Sequence, residues 1–360
     1  MTTDPSAART YSAIKYRLFL AEMVLSAAVL AGWHWAGGSS ALAAWVRSHA
    51  AAEPLVILGY LAVFGAVQYT IELPLKFYGS FLLEHRFGLS RMRPGQWVIR
   101  ELKHLAVGST IALLLIEGFY AILRRAPAHW PVWATIGWVG MSIVLARIFP
   151  TVLLPMFYKT TPLHDASLVE RLSALCRRAG LPVLGVFRFQ LGAETRKANA
   201  ALAGLGGSRR VLLADTLLEQ FSPEEIEGVL AHEVAHHRFR HITKMLILST
   251  FGSWLAFTLT ARAIPRIADI AQFPVLALWL MGLGLLGLPL QQGISRHFEW
   301  EADRFAVGMT PPSAFAGALR RLAALNLADP QPPRWIVWLL YDHPPITARI
   351  AAAEAAARSS

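Results

Sequence analysis

The sequence predicts an all-α polytopic membrane protein of six to seven transmembrane helices, with a small α/β insertion that contains a β-hairpin. Of its 360 residues, 55% are apolar and only 16% are charged, whereas a soluble domain has about 25% charged residues. Six runs of about 20 apolar residues are long enough to cross a bilayer. The only sizeable polar region lies between the fourth and fifth runs and carries both helix and strand patterns.

The six apolar runs define the predicted spans. Pro150 and Pro155 could divide the fourth run, which leaves seven spans open. Buried helices of a soluble core are seldom this long and this apolar, so the runs favour a membrane. The predicted spans are roughly residues 18–37, 55–75, 104–123, 131–154, 245–264 and 273–293.

Lys and Arg are distributed unevenly between the segments that join the spans. Twelve lie in residues 158–244 and seven follow residue 293, whereas the three segments on the opposite side hold one, two and two. Because basic segments stay in the cytoplasm, we expect both termini and the polar region on the cytoplasmic side. This asymmetry accounts for the net charge of +11. No basic stripe alternates with aromatic residues, so we expect the lipid bilayer, and no nucleic acid, as a partner.

The polar region has the pattern of a small α/β unit. Residues 165–179 have helical spacing and residues 183–190 read as a strand. Residues 198–205 form a second strand, and a Gly-Gly-Ser turn leads to its partner at residues 210–214. Such a hairpin is either an ordinary structural element or an edge to which an extended peptide can add.

The single cysteine, Cys176, falls within the predicted helix of this unit. One cysteine excludes an internal disulfide framework and a zinc site made of several cysteines. We expect a buried structural thiol at this position.

An HExxH pattern, His232-Glu233-x-x-His236, follows the hairpin. On a helix the two histidines lie four residues apart on one face and reach one metal ion, while Glu233 can hold the water bound to that ion. Ser222 and Glu225 form a capping box, with a proline at the first helical position. The spacing predicts that this helix continues to about Ala263, through the fifth span, which brings the site to the cytoplasmic rim of the membrane or somewhat inside it.

A third metal ligand is expected just after the sixth span. Glu299 and Asp303 share a helix face, so one can bind the metal while the other orients a ligating histidine. His297 is a competing candidate, and Glu301 points to another face.

Other histidines near these motifs have less defined roles. His237 and His241 do not share the face of the motif histidines and are expected to support the site, to serve structure or to be solvated. His343 lies in a turn before two prolines, where it can donate a hydrogen bond to the oxyanion of a tetrahedral intermediate.

The chain resembles the type I CAAX prenyl endopeptidases, a family of integral membrane zinc metalloproteases. The resemblance extends from the second span to Arg349. Where that family commonly has HELGHW, this chain has HEVAHH, which changes no ligand and leaves the base in place. The residues that carry the resemblance in the rest of the chain are Leu73-Pro74, Tyr78, Phe81, Glu84, Phe87-Gly88, Pro150, Pro155, Phe157, Pro162-Leu163, Asn199-Ala200, Gly204-Leu205 and Val211 to Leu218.

The resemblance implies a role for each matching site residue. It implies zinc ligands at His232, His236 and Glu299, with Glu233 as the general base. It implies that the Asp303 carboxylate orients a zinc-binding histidine without binding the metal itself. It also implies that His343 and Arg349 stabilise the transition state or the substrate, and that Asn199 and Ala200 bind the substrate backbone. The fold it implies is a ring of membrane helices around a chamber.

We therefore expect a CAAX-protease-like zinc endopeptidase, with one Zn²⁺ per chain, that hydrolyses peptides or membrane proteins, possibly lipid-modified. Residues 1–157 would form an N-terminal membrane domain and 158–360 the metallopeptidase domain. Short loops and an Ala/Arg-rich composition suggest a bacterial protein of the inner membrane. The alternatives are an HtpX-like quality-control protease and a membrane scaffold that binds metal without catalysis, although Glu233 between the ligands disfavours the scaffold.

Overall fold

The structure, a computed structural model, describes residues 5–204 and 206–359. Leu205, the predicted end of one strand, lies outside the described residues. Most of the described chain is helical, as predicted. In chain order the helices are α1 (Pro5–Trp35), α2 (Gly38–His49), α3 (Glu53–Phe77), α4 (Leu83–Arg86), α5 (Pro94–Arg125), α6 (Trp130–Ile148), α7 (Leu154–Phe157), α8 (Ala166–Arg178), α9 (Asp215–Gln220), α10 (Pro223–Arg238), α11 (His241–Ala263), α12 (Phe273–Met309), α13 (Pro312–Leu325), α14 (Arg334–Leu340) and α15 (Ile346–Ser359).

Five helical segments of the described residues are long and apolar enough to cross a membrane. At most 22% of the most apolar window of any of them is buried in protein, so their surfaces require apolar surroundings. α1 covers most of the first predicted span but is not among the five, and the count of six to seven is therefore not confirmed. The five segments are Glu53–Arg86, Pro94–Arg125, Trp130–Phe157, His241–Ala263 and Ile270–Met309.

The division of the fourth span that Pro150 and Pro155 left open does not occur. Trp130–Phe157 is one continuous helical segment, which passes through a π-helical turn at Phe149–Leu153. A π-helical turn accommodates the hydrogen bond that a proline removes, so the helix continues without ending.

Four strands form a sheet in the order β1-β2-β4-β3, with β1 at Thr160–Pro162 and β2 at Val186–Phe189. The predicted hairpin is confirmed: β3 (Ala200–Ala203) pairs antiparallel with β4 (Arg210–Ala214). β2 runs parallel to β4. Among the described residues no strand pairs with the other side of β3, which therefore lies at the edge of the sheet.

One large core joins this sheet to the motif helix. Leu172 of α8, Leu212 of β4, Leu230 of α10 and Phe315 of α13 are all 2% exposed or less and belong to it. The sheet, α8 and α13 thus hold α10 on several sides. A separate cluster, which includes Tyr60, joins helices α2, α3, α5 and α6.

The motif helix does not continue into the fifth span as the sequence analysis predicted. α10 ends at Arg238 and α11 begins at His241, because Arg240 has a left-handed backbone with φ of 56°. His236 and His241, five residues apart, would lie on different faces of one continuous helix. The break allows α11 to begin with the His241 side chain turned back toward His236.

Candidate metal centre

The capping box at the start of α10 sets the position of the motif. The Ser222 hydroxyl accepts a hydrogen bond from the Glu225 N–H at 3.2 Å, and the Glu225 carboxylate accepts one from the Ser222 N–H at 2.9 Å. Ten of the 16 residues of α10 are buried, including His232. Both motif histidines therefore project from a helix that the protein core fixes in place.

Three side chains from two helices converge on one point. His232 Nε2 lies 3.3 Å from His236 Nε2 and 3.2 Å from Glu299 Oε2, and His236 Nε2 lies 3.2 Å from Glu299 Oε1. Two of the three residues, His232 and Glu299, are buried. Of the two acidic residues open as third ligand, α12 brings Glu299 to the Nε2 atoms of both histidines.

Asp303, one turn further along α12, contacts the opposite side of the His232 ring. Its Oδ1 atom lies 2.9 Å from His232 Nδ1. Arg349 of α15 holds the same carboxylate with two hydrogen bonds, from Nε at 2.8 Å and Nη2 at 2.7 Å. The carboxylate thereby fixes the ring with Nε2 facing Glu299.

The carboxylates around His232 create a strongly anionic pocket. Burial by itself would lower the pKa of His232, but the hydrogen bonds to Asp303 and Glu299 outweigh burial and raise the pKa to about 9. Surroundings that stabilise a proton on this ring also stabilise a divalent cation in its place.

His241 fixes the second motif histidine in a comparable way. Its Nδ1 lies 3.1 Å from His236 Nδ1, and its Nε2 lies 3.1 Å from Glu301 Oε2. Because the Glu301 carboxylate only accepts, His241 Nε2 donates to it and His241 Nδ1 accepts from His236 Nδ1–H. His236 Nε2 is then left with a free lone pair, as a metal ligand requires.

The three converging residues fit a metal ion. Their ligand atoms all lie within 4.8 Å of one another. The two Nε2 atoms are 3.3 Å apart and each lies 3.2 Å from one oxygen of the Glu299 carboxylate, distances close to the edge of a tetrahedron around an ion with ligands at about 2.0–2.1 Å. Glu299 Oε2 is buried and makes no well-directed hydrogen bond, although the Nε2 atoms of His232 and His343 lie 3.2 and 3.1 Å from it. A buried carboxylate oxygen of this kind needs a counterpart. His-His-Glu with an open fourth position is a donor set of catalytic zinc sites.

Family comparison agrees with this geometry. Residues 162–357 match the model of Peptidase family M48, and residues 3–159 match that of the CAAX prenyl protease N-terminal region, described as having five membrane helices. The chain belongs to peptidase family M48. With its membrane-spanning helices, it is an integral membrane metalloendopeptidase.

Relatives of this M48 peptidase are similar along most of their length. It is 26% identical to CAAX prenyl protease 1 of Saccharomyces cerevisiae, over 89% of this chain and 77% of the relative. It is 24% identical to the uncharacterized metalloprotease YhfN of Bacillus subtilis, over 98% of this chain and 86% of the relative. The crystal structure of S. mikatae Ste24p has the same fold, with a TM-score of 0.87, 24% identity, and coverage of 97% of this chain and 88% of that one.

A cavity of about 350 Å³ opens beside the metal centre of this M48 peptidase. Glu233, next to His232, lines it, and so do Asn199 and Ala200 at the start of edge strand β3. The predicted base and the predicted substrate strand thus face one space. Asn326 and Arg349 also line it, and the larger apolar side chains of the wall come from Val229, Phe315, Leu319, Leu322 and Ile346.

His343 reaches the metal centre from the turn before α15. Its Nε2 lies 3.1 Å from Glu299 Oε2, and its Nδ1 lies 2.8 Å from Asp342 Oδ1. The hydrogen bond from His343 lowers the pKa of Asp342, although burial opposes the shift. The side chain of His343 is half exposed and lines the cavity, where it can reach a substrate.

Glu84, one of the residues that carry the family resemblance, lies at the junction of the two halves of the chain. It accepts hydrogen bonds from the Tyr11 hydroxyl at 2.5 Å and pairs with Lys197 Nζ at 2.8 Å. Lys197 comes two residues before Asn199, so the membrane helices anchor the entry to β3.

The structure adds contacts that the sequence did not reveal. The Asn326 side chain bonds to the backbone of Ala198, and His237 bonds to the carbonyl of Leu202. A single asparagine after α13 carries no signal of such a contact. His297, the competing ligand, is not among the residues that converge on the metal centre within the described ranges.

Proposed function

We propose that this M48 peptidase binds one Zn²⁺ through His232, His236 and Glu299 and hydrolyses peptide bonds of peptides or membrane proteins. The observation that carries the proposal is the convergence of His232 Nε2, His236 Nε2 and the Glu299 carboxylate, at distances of 3.2–3.3 Å, beside Glu233 and the free edge of β3. Zinc, when bound, would lower the pKa of a water molecule and polarise the scissile carbonyl.

The residues around the metal would then carry the proton transfers. Glu233 takes the proton of the attacking water and passes it to the leaving amine, as general base and then general acid. His343 donates a hydrogen bond to the developing oxyanion. Asp303, clamped by Arg349, keeps the His232 ring oriented, and His241 does the same for His236.

The substrate is an extended segment of protein held at the membrane. Asn199 and Ala200 would bind its backbone at the edge of β3, and the apolar cavity wall would accept an apolar side chain. CAAX prenyl protease 1 of yeast is a named relative, but no feature of the cavity requires a prenyl group, so plain and lipid-modified peptides both remain substrates of this proposal.

Two further assignments belong to the proposal. Residues 1–157 form the membrane domain and residues 158–360 the metallopeptidase domain, with the division between α7 and β1. The excess of Lys and Arg in residues 158–244 supports a cytoplasmic active site, and the similarity to a Bacillus protein along 98% of this chain supports a location in a bacterial plasma membrane.

The test compares wild type with Glu233→Gln in detergent. Zinc content is measured together with cleavage of a panel of prenylated and plain peptides. We expect one zinc in each protein, cleavage by wild type, and a loss of about 10²- to 10⁴-fold in kcat for the variant. If both proteins bind zinc and neither cleaves any peptide, metal binding without catalysis replaces the protease proposal.

A further inference from the structure

The free edge of β3 has three residues whose backbone groups point away from the sheet. In an antiparallel pair, residues turn their N–H and C=O alternately toward the partner strand and away from it. The Asn199 carbonyl accepts a hydrogen bond from Ala214 N–H at 3.0 Å, on the β4 side. The backbone groups of Ala198, Ala200 and Leu202 therefore point to the free edge.

A side chain of the motif helix occupies one end of this edge. His237 Nε2 lies 2.7 Å from the Leu202 carbonyl oxygen. Because a carbonyl only accepts, this ring nitrogen carries the hydrogen and donates it. The Leu202 carbonyl thus already has a donor at the free edge, with which an added strand would have to compete, whereas the ring does not engage the Leu202 N–H.

An asparagine occupies the other end. Ala198 N–H donates to Asn326 Oδ1 at 3.1 Å, and Asn326 Nδ2 lies 3.5 Å from the Ala198 carbonyl. The side-chain amide of asparagine has the donor and acceptor of a peptide group. Asn326 thus takes the place that a neighbouring strand would have at Ala198.

Backbone strain accompanies both contacts. In the described ranges, Arg240 (φ 56°) and Leu327 (φ 49°) are the non-glycine residues with positive φ. Leu327 directly follows Asn326, and Arg240 lies three residues after His237. A left-handed backbone is unfavourable for a residue with a Cβ atom and persists only where its surroundings impose it.

We propose that His237 and Asn326 are positioning residues that close the two ends of the β3 edge. Between them, the substrate backbone pairs with the N–H and C=O of Ala200 and with the N–H of Leu202. This inference rests on the proposed peptidase function. Ala200 keeps both its N–H and its C=O for the substrate, so the substrate donates one backbone N–H to the edge. The substrate thus donates one backbone hydrogen bond, at a position bounded by His237 and Asn326. This contact fixes the register of the substrate on β3 and therefore which peptide bond lies at the metal.

The test is an amide-to-ester scan of a peptide that wild type cleaves, with the scissile bond left intact. Each ester removes one N–H donor. We expect one ester position to lower kcat/KM about 3- to 10-fold, the effect of one hydrogen bond, and the other positions to change it less than about twofold. Two or more sensitive positions in wild type would overturn the proposal.

Variants locate the two closed ends. His237→Phe frees the Leu202 carbonyl and should create a second sensitive position, two residues from the first. Asn326→Leu frees the Ala198 backbone and should create one two residues away on the opposite side. His237→Gln keeps an N–H donor and should retain the wild-type pattern. If His237→Phe and Asn326→Leu proteins cleave the peptides and still show only one sensitive ester position, the proposal is contradicted.

The same peptides are measured for binding to zinc-loaded Glu233→Gln protein. Binding reports the register without turnover, so the two proposals fail separately. A wild type that cleaves no peptide would count against the peptidase function. Several sensitive ester positions in the binding measurement would count only against the closure of the two ends by His237 and Asn326.

Discussion

Helices α10 and α11 follow one another in the chain but are stabilised in opposite ways. α10 carries several charged residues and is largely buried, with ten of its 16 residues inside the protein. α11 is far more apolar, yet only two of its 23 residues are buried, His241 and Thr260. A polar helix inside and an apolar helix outside is the reverse of a soluble fold and is what a bilayer imposes.

The difference shows where the precision of the metal centre originates. The proposed ligands His232 and His236 lie on the helix that the protein core holds, and α11 contributes only its first residue, His241, to their support. Perturbing the core around α10 should therefore disturb the site, whereas perturbing the outer surface of α11 should not.

The largest expected difference is in stability. Leu230 of α10 is fully buried and Ile247 of α11 is 65% exposed. Leu230→Ala should lower the free energy of unfolding by about 2–5 kcal/mol, because it leaves a cavity in a packed core. Ile247→Ala should change it by less than about 0.5 kcal/mol. Denaturant unfolding of both variants in one detergent checks this, and equal losses would remove the contrast between the helices.

A second effect concerns the core next to α10. Burial raises the pKa of the Cys176 thiol to about 11, although Arg177 opposes the shift. Because this pKa is two units above the ordinary value of 9.0, the fraction of Cys176 present as the reactive thiolate near neutral pH is about a hundredfold smaller. Native protein should therefore react with iodoacetamide at least about a hundredfold more slowly than unfolded protein. Labelling at similar rates would mean that this core admits solvent.

A third effect concerns the carboxylate behind His232. Asp303→Asn should weaken zinc binding by about 10- to 100-fold, because the ring loses its charged partner. Glu170→Gln is the matched control, since Glu170 pairs with Arg177 on the exposed face of α8, and it should leave zinc affinity unchanged. Competition with a chelator gives both affinities. Equal affinity in Asp303→Asn and wild type would show that Arg349 and the core orient the ring unaided.

The smallest effect lies at the junction of the two helices. Arg240→Gly should raise the free energy of unfolding by about 1 kcal/mol, because glycine adopts the left-handed backbone without strain. Arg238→Gly, in the last turn of α10, should lower it by about 0.5–1 kcal/mol. Thermal unfolding distinguishes the two signs, and a loss of stability in Arg240→Gly would indicate that its side chain contributes more than its backbone costs.

Much of the local structure was predictable, because it depends on neighbours in sequence. The capping box at Ser222 and Glu225 predicted the start of α10, and the Gly-Gly-Ser turn predicted the hairpin. The spacing of His232 and His236 predicted one helix face. The apolar runs predicted membrane helices, although the first run, in α1, did not yield one of the five candidate spans.

Contacts between distant segments were not predictable from such patterns. The sequence predicted a continuous helix from α10 into α11, but the tertiary contacts of His241 with His236 and Glu301 accompany a break at Arg240. Nothing in the sequence indicates that Asn326 meets Ala198, since 128 residues separate them.

The sequence by itself therefore determined the chemistry: a helix with two histidines and a carboxylate, an acidic pair after an apolar run, and enough apolar residues for a membrane. Residue spacing left open which acidic residue faces the two motif histidines; the family resemblance implied Glu299, and the tertiary structure gives the physical reason. Glu299 and Asp303 share one helix face, and sequence spacing treats them alike. Arg349, from the far end of the chain, binds Asp303 on the outer side of His232, and Glu299 is left to face the Nε2 atoms.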